Sequence, residues 1–368
     1  EAFESRLGFT ADGERAVRHG LLAPAEGEPY SLVRTLEIAT GREVTATRDT
    51  SRLAVPVDGV PGSVRLGAPD GLLLWRPFRG GDWSVWNVAA GRDVVRLGPE
   101  PRSVPVASIS PDGSTLALVD RDAKQIRLVD TASGKERLLD PGPAGAPGVL
   151  SFHPTGDHLA CGSGTGPIRI LDFRTGQQVR TLTEHQGAVN GLAYHPGGEL
   201  LVSGGADGRL RVWDLRTGKA RAITPHAGKI TALAVTPDGD RVATASGRSV
   251  QVWDLHTGEE YLALTTTSTV ERLTFTGNIK YLVAEVLLFG EPVVWDAAAA
   301  DPATKHARLA TRAETWHRSA AAACAQDKDG FAAVWHLERL VALEPMNAGY
   351  LDRLWKARAA MAGQPAKP

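Results

Sequence analysis

The sequence has few of the residues that cross-link or anchor a protein. Only 2 of its 368 residues are Cys, and 2 are Met. Two cysteines cannot form a disulfide framework. This fits a protein of a reducing compartment, or a fold that is stable without disulfide cross-links. No charge sign dominates, because 41 Lys and Arg stand against 42 Asp and Glu, for a formal net charge of −1. That balance argues against a broadly basic surface for nucleic acid.

Long apolar runs are also missing. One of the longest, at 281–289, is short and is interrupted by Glu285, whereas a membrane-spanning helix needs about 20 apolar residues. We therefore expect no membrane segment in this chain. The first residue is Glu1, with no basic and then apolar leader. We expect the chain to be part of a longer protein, and a cytoplasmic one.

Glycine is abundant, with 40 residues, and it marks an internal repeat. A short apolar strand followed by a turn of the form D-x-x-T-G recurs every 40 to 50 residues. The last copy, Trp295-Asp296, has alanines in place of the turn. The copies start at Leu36, Trp86, Val129, Leu171, Trp213, Trp253 and Trp295.

A second turn phrase, P-D-G or a close variant, keeps step with the first. From its third to its sixth copy, its glycine lies 19 to 21 residues before the glycine of the D-x-x-T-G phrase. Two turns locked at this offset, with β-rich runs between them, predict a four-stranded unit. In the fifth unit the predicted strands are 189–194, 199–203, 209–214 and 219–223.

The repeat resembles the WD40 family, whose period is about 40–45 residues and whose third strand ends in Trp-Asp. Literal Trp-Asp pairs stand at 213–214, 253–254 and 295–296. The resemblance covers about residues 1–300 and implies an all-β fold, a seven-bladed β-propeller of four-stranded blades. Family propellers usually close by completing one blade with strands from both chain ends. Here we expect the last fourth strand from about 305–310, or from chain upstream of residue 1.

The pattern changes after about residue 300. Residues 301–368 predict about three helices, at 311–326, at 331–343 and after a cap at Asn347. The second helix and the start of the third resemble a tetratricopeptide repeat over about one and a half units. One such unit cannot form a stable solenoid, so we expect the helical tail to cap the propeller domain, residues 1–300, or to dock elsewhere.

The fifth blade carries His185, Ser203, Asp207 and Trp213. The resemblance implies that Asp207 holds His185, that His185 reaches Ser203, and that Ser203 reaches the indole N–H of Trp213. A buried imidazole and a buried indole each need such a partner. Ser, His and Asp could also form a hydrolase triad, but the chain has no G-x-S-x-G elbow. We expect a structural set and no catalytic residue.

The turn between the second and third strands of blade two, at 76–82, is a candidate partner-binding surface. Aromatic and Arg side chains on exposed loops are common interface anchors. The alternative is a loosely packed loop in a degenerate repeat. The candidate residues are Trp75, Phe78, Arg79, Asp82 and Trp83.

We expect no metal site and no cofactor. His153 and His158 are five residues apart with Cys161 nearby, but no H-E-x-x-H or C-x-x-C pair occurs.

These features favour a non-catalytic scaffold that binds a protein or peptide partner through the loops of the propeller rim. Degenerate WD blades followed by a Trp-His-Arg helix at 316–318 also look like the C-terminal part of large bacterial WD-repeat proteins. Some of those carry a serine/threonine kinase domain upstream. The alternative is therefore a regulatory or sensing domain of such a kinase, and a propeller enzyme is a third, weaker hypothesis.

Overall fold

The computed structural model describes the chain in segments. Before residue 106 it describes eight strands, with side chains only at 83–85 and 94–97. From 106 to 361 it describes the chain except for short gaps, and at 120, 342 and 343 it describes the backbone only. The gaps are 121–123, 144–146, 224–225, 227, 277–278, 287–292, 298–313, 315–316, 327–329 and 346.

The described strands form seven antiparallel sheets in chain order, here sheets 1 to 7, and each sheet is an up-and-down meander. Sheets 1 to 6 have four strands and sheet 7 has three described strands. Sheets 1 to 3 contain β1 Ser5–Phe9, β2 Arg15–Leu22, β3 Tyr30–Glu37, β4 Glu43–Asp49; β5 Ser63–Arg65, β6 Leu72–Trp75, β7 Trp83–Asn87, β8 Arg92–Gly98; and β9 Ala107–Ile109, β10 Thr115–Asp120, β11 Gln125–Asp130, β12 Glu136–Leu139.

The later sheets follow the same plan. Sheets 4 to 7 contain β13 Pro147–Phe152, β14 His158–Ser163, β15 Ile168–Asp172, β16 Gln178–Leu182; β17 Val189–Tyr194, β18 Leu200–Gly205, β19 Leu210–Asp214, β20 Ala220–Ile223; β21 Ala232–Val235, β22 Arg241–Ser246, β23 Ser249–Asp254, β24 Glu260–Thr265; and β25 Val270–Phe275, β26 Tyr281–Val286, β27 Val293–Asp296. The strands predicted for the fifth unit are thus present in sheet 5, with ends that agree within two residues. The expected fourth strand of the last blade, near 305–310, lies outside the described residues.

The D-x-x-T-G phrase forms the turn between the third and fourth strands. In sheet 5, Asp214 Oδ1 accepts hydrogen bonds from the backbone N–H groups of Arg216 at 2.9 Å and Thr217 at 3.0 Å. The chain then passes through Gly218 at φ +74°, a left-handed conformation that glycine reaches at little steric cost. The equivalent aspartates are Asp172 and Asp254, and the equivalent glycines are Gly176 and Gly258.

The core lies between neighbouring sheets. Between sheets 5 and 6, Val202 and Val212 pack in one cluster with Val242 and Trp253. Similar clusters fill the spaces between sheets 3 and 4, 4 and 5, and 6 and 7. The first strands of sheets 3 to 7 contact one another in order, as do those of sheets 1 and 2. Each sheet therefore covers an apolar face of the next, which a single sheet could not do alone.

Three helices follow the sheets in the described residues: α1, which is described at 314 and 317–326, α2 Gly330–Leu343 and α3 Ala348–Met361. The predicted cap of the third helix is present, because Asn347 Oδ1 accepts hydrogen bonds from the N–H groups of Gly349 and Tyr350. The helices share a small core of Ala321, Leu337, Leu340, Tyr350 and Leu354. None of the helices in the described part of the chain is long and apolar enough to span a bilayer.

Candidate functional site

The structure brings the four residues of the fifth-blade set together inside sheet 5. His185 Nδ1 lies 3.0 Å from Asp207 Oδ1, and His185 Nε2 lies 2.7 Å from Ser203 Oγ. The indole N–H of Trp213 donates to Ser203 Oγ at 2.7 Å. Ser203 is 0% exposed. Its hydroxyl is thus held between a histidine and a tryptophan inside the blade.

Arg211 is a fifth member of this set that the sequence pattern did not indicate. Its Nη1 lies 2.8 Å from both Asp207 Oδ2 and His185 Nδ1, and its Nη2 donates to the carbonyl oxygen of Glu184 at 3.0 Å. Burial opposes ionisation of Asp207, but hydrogen bonds from two backbone N–H groups and from Arg211 outweigh it and lower its pKa to about 2. Burial is also the main reason that the pKa of His185 is lowered. The set therefore holds an ionised aspartate and favours a neutral histidine.

Sheet 6 builds a reduced version of the same set. His226 Nε2 lies 2.6 Å from Thr244 Oγ1, and the indole N–H of Trp253 donates to the same oxygen at 3.0 Å. Thr244 thus takes the place that Ser203 has in sheet 5. The threonine was not singled out from the sequence, although its register opposite Gln251 matches that of Ser203 opposite Arg211.

The candidate partner-binding residues of blade two are only partly described. Phe78, Arg79 and Asp82 lie outside the described residues, and Trp75 ends β6 without a described side chain. Trp83 is 1% exposed and packs in a core cluster with Val85 and Leu116. The structure therefore places Trp83 in the core and not on the exposed surface that the sequence suggested for it, because its strand packs against sheet 3.

The helical tail rests on one edge of sheets 4 to 6. We call this the tail edge, by which we mean the side of each sheet where the strand ends carry two of its turns. These are the turn between the first and second strands and the turn between the third and fourth strands. Trp335 of α2 meets the ring of His195 edge-on at 4.7 Å between centroids. The backbone at Gly197 leaves room for it, since an added Cβ would lie 3.0 Å from Trp335 Cε3. Phe331 of α2 approaches the ring of His153 at 6.5 Å.

Six ionisable side chains form a continuous line across this contact, which we call the histidine–carboxylate chain. It starts in sheet 5, crosses α2 and α1, and ends in sheet 6. Successive distances are 3.2, 2.9, 2.9, 3.6 and 3.0 Å; the third joins the Nδ1 atoms of two histidines, and each of the others joins a histidine nitrogen to a carboxylate oxygen. Its members in order are His195, Glu199, His336, His317, Asp240 and His256.

Both acids in the histidine–carboxylate chain are held ionised. Burial would raise the pKa of Glu199, but hydrogen bonds from His195 and His336 outweigh it and hold that pKa well below the usual range. The same holds for Asp240: hydrogen bonds from His256 and His317 outweigh the effect of burial and lower its pKa. Two partly buried carboxylates thus depend on their histidines for compensation.

One end of this line has the composition of a metal-binding group. Asp240, His256 and His317 each bring one ligand-type atom within 4.8 Å of the others, and no other such group occurs among the described residues. The sequence did give a weak signal for it. The D-x-x-T-G turns of sheets 4 and 5 have Arg174 and Arg216 at the position that His256 occupies in sheet 6.

The histidines weighed from the sequence have other contacts. His153 Nδ1 lies 2.7 Å from Thr155 Oγ1, and its Nε2 lies 3.0 Å from the carbonyl oxygen of Gly198. Cys161 is buried in the core between sheets 3 and 4, and burial raises the pKa of its thiol. His153, His158 and Cys161 thus do not form a described metal cluster.

Comparison with known proteins finds similarity in the repeats and in the fold. The family described as WD domain, G-beta repeat matches residues 176–214 and 219–254. No curated protein matches the chain. Among solved structures, a chain in the crystal structure of the mitotic checkpoint complex superimposes with a TM-score of 0.55 at 22% identity. The match covers 67% of this chain and 85% of that one, and at this identity it shows the fold alone.

Proposed function

The chain carries WD40 repeats at residues 176–214 and 219–254, and from that premise we propose that it is a non-catalytic scaffold for a protein or peptide partner. In this proposal residues 1–300 form a closed seven-bladed propeller and residues 301–368 form a helical cap. Seven meander sheets in chain order and apolar clusters between neighbouring sheets support the propeller.

The observation that carries the non-catalytic assignment is the engagement of Ser203. A nucleophile needs its oxygen exposed to substrate and activated by a base. Here the oxygen is fully buried and faces His185 on one side and the indole N–H of Trp213 on the other. The Ser-His-Asp set thus stabilises the blade and offers no access to a substrate.

The geometry of the sheets favours one edge for the partner. In an up-and-down meander, successive turns alternate between the two edges of a sheet. The helical tail contacts the tail edge of sheets 5 and 6 through Glu199 and Asp240, and that of sheet 4 through His153. Residues 76–82 connect β6 and β7, the second and third strands of sheet 2. We propose that Trp75, Phe78, Arg79 and Asp82 contribute to a partner-binding surface at the edge opposite the tail.

The test is affinity capture with the purified full chain and two matched double variants. The rim variant is Phe78→Ala with Arg79→Ala. The control is Leu138→Ala with Val179→Ala, which truncates side chains that are 60% and 53% exposed on the outer strands of sheets 3 and 4. All three proteins should have the same circular dichroism spectrum and thermal midpoint.

We expect a partner that the parent and the control variant retain and that the rim variant loses, with cross-links that map to residues 76–82. Equal retention by both variants, or cross-links confined to α1–α3, would contradict the rim assignment. Hydrolysis by the parent that Ser203→Ala abolishes would contradict the non-catalytic assignment.

A further inference from the structure

The junction of α1 with sheet 6 has the geometry of a three-ligand cation site. Asp240 Oδ1 lies 3.0 Å from His256 Nε2 and 3.6 Å from His317 Nε2. A tetrahedral ion with metal–ligand bonds of about 2.0–2.1 Å separates its ligand atoms by about 3.3 Å. The two distances lie on either side of that value, and all three ligand atoms lie within 4.8 Å of one another. A shift of the side chains would therefore bring them around one small ion.

For neutral imidazoles, the hydrogen bonds behind His317 determine which of its nitrogens faces Asp240 with a lone pair. The ionised carboxylate of Glu199 can only accept, so His336 Nε2–H donates to it at 2.9 Å. A neutral His336 then accepts at Nδ1, and His317 Nδ1–H donates to it across 2.9 Å. The remaining nitrogen of a neutral His317, Nε2, therefore directs its lone pair toward the Asp240 carboxylate.

A lone pair aimed at an anion is unfavourable unless a cation lies between them. The cation is either a proton or a metal ion. Neutral imidazole is the form that binds metal.

From this geometry we propose that Asp240, His256 and His317 bind a divalent transition-metal ion of the zinc class. Two imidazoles and one carboxylate form a donor set that suits zinc and its neighbours, whereas magnesium and calcium prefer oxygen donors. Three protein ligands leave a fourth position for water.

The site joins two parts of the molecule that are distant in sequence. Asp240 and His256 belong to turns of sheet 6, and His317 lies in α1 of the helical tail. A metal ion bound there cross-links the tail to the sheet. His336 and Glu199 act behind the site as positioning residues, because they hold His317 in the tautomer that presents Nε2, as carboxylate-bound histidines do around other metals.

The test uses the full chain stripped of metal with a chelator and titrated with Zn²⁺ by calorimetry, with Mg²⁺ as the comparison ion. We expect about one Zn²⁺ per chain and no measurable binding of Mg²⁺. Asp240→Asn keeps the shape of the side chain and removes its charge, and His317→Ala removes a ligand from the tail. Both should abolish the binding or weaken it by at least about 100-fold. His158→Ala, which removes a histidine outside the site, should bind as the parent does.

A positioning role for His336 predicts a different pattern. His336→Gln should weaken Zn²⁺ binding by about 10–100-fold. At saturation it should leave the visible absorption spectrum of bound Co²⁺ unchanged, because the three ligands remain. A changed spectrum would make His336 a direct ligand and overturn this assignment.

Hydrogen exchange gives a second readout that does not depend on affinity. Zn²⁺ should slow exchange of the amides of α1 in the parent and in His158→Ala, and leave it unchanged in Asp240→Asn. Absence of Zn²⁺ binding by the metal-free parent would overturn the proposal. It would mean that a proton, and not a metal ion, lies between His317 Nε2 and the Asp240 carboxylate. Equal binding by the parent, Asp240→Asn and His317→Ala would place the ion elsewhere and overturn it as well.

Discussion

At the scale of single residues, one position of the repeat has a different binding partner in each of three neighbouring sheets. The last residue of the turn between the first and second strands is Asp157 in sheet 4, Glu199 in sheet 5 and Asp240 in sheet 6. Asp157 lies 3.8 Å from Arg174 at the surface, whereas Glu199 and Asp240 contact histidines of the helical tail. The backbone thus supplies a fixed carboxylate position, and the residues opposite decide what it binds.

Asp207→Asn should lower the free energy of unfolding by about 1–3 kcal/mol. The substitution keeps the shape of the side chain but removes the charge that accepts hydrogen bonds from Arg211 and from the N–H groups of Gln186 and Arg209. Urea unfolding at pH 7 measures the change in the midpoint.

The control for Asp207→Asn is Asp157→Asn. The side chain of Asp157 is 55% exposed, and its substitution should change stability by less than about 0.5 kcal/mol.

The pH dependence of stability gives a further check on Asp207. The pKa of Asp207 is lowered to about 2 in the folded state, from 3.8. Its stabilisation is present above pH 4 and is lost as the pH falls through about 2. The gap between parent and variant should therefore shrink over that window, and an unchanged midpoint at pH 7 would show that the charge of Asp207 does not stabilise the blade.

At the scale of elements, the turns fix the strands. The D-x-x-T-G phrase is readable in the sequence because the aspartate must accept from two N–H groups and the glycine must adopt a positive φ. These needs are local, so the strand ends of sheet 5 could be located from the spacing of the turns. The His185, Ser203, Asp207 and Trp213 set is implied by the resemblance to WD40 repeats. Local turn signals carry no information on whether a side chain such as Trp83 faces solvent or a neighbouring sheet.

Gly258→Ala tests the backbone part of this argument. Gly258 has φ +75°, and the nearest side-chain atoms to an added Cβ are 3.6–3.7 Å away, so no clash adds to the strain. The left-handed conformation itself should cost about 1–2 kcal/mol for alanine. Thermal or urea unfolding measures the loss.

The matched control is Gly164→Ala in the turn between β14 and β15. An added Cβ there has no heavy atom within 4 Å, and the φ of Gly164 is not in the left-handed region. The substitution should be neutral or stabilise the protein by up to about 1 kcal/mol, through the unfolded chain. Equal destabilisation by both alanines would point to a cause other than backbone conformation at Gly258.

At the scale of the whole molecule, the contact between helices and sheets is the part that the sequence could not reveal. Asp240, His256 and His317 come from two turns and a helix, and no fixed spacing links the helix to either turn. Their proximity depends on how the tail lies against sheets 4 to 6, which is a property of packing. The sequence did predict a helix at 331–343, which is present as α2, but not the surface on which it packs.

Trp335 of α2 lies at the contact between the helical tail and the sheets. This side chain is 9% exposed, meets the ring of His195 at 4.7 Å between centroids, and lies under the guanidinium of Arg339 at 5.2 Å. Trp335→Ala removes a large buried side chain from the junction and should lower the free energy of unfolding by about 3 kcal/mol. It should also speed hydrogen exchange in α1 and α2 while sheets 2 and 3 keep their protection.

The control is Trp355→Ala, on α3 and 44% exposed, which should change stability by less than about 0.5 kcal/mol. Equal, small effects of the two substitutions would show that Trp335 does not anchor the tail. Loss of protection throughout the sheets in Trp335→Ala would show that the helices and sheets unfold as one cooperative unit.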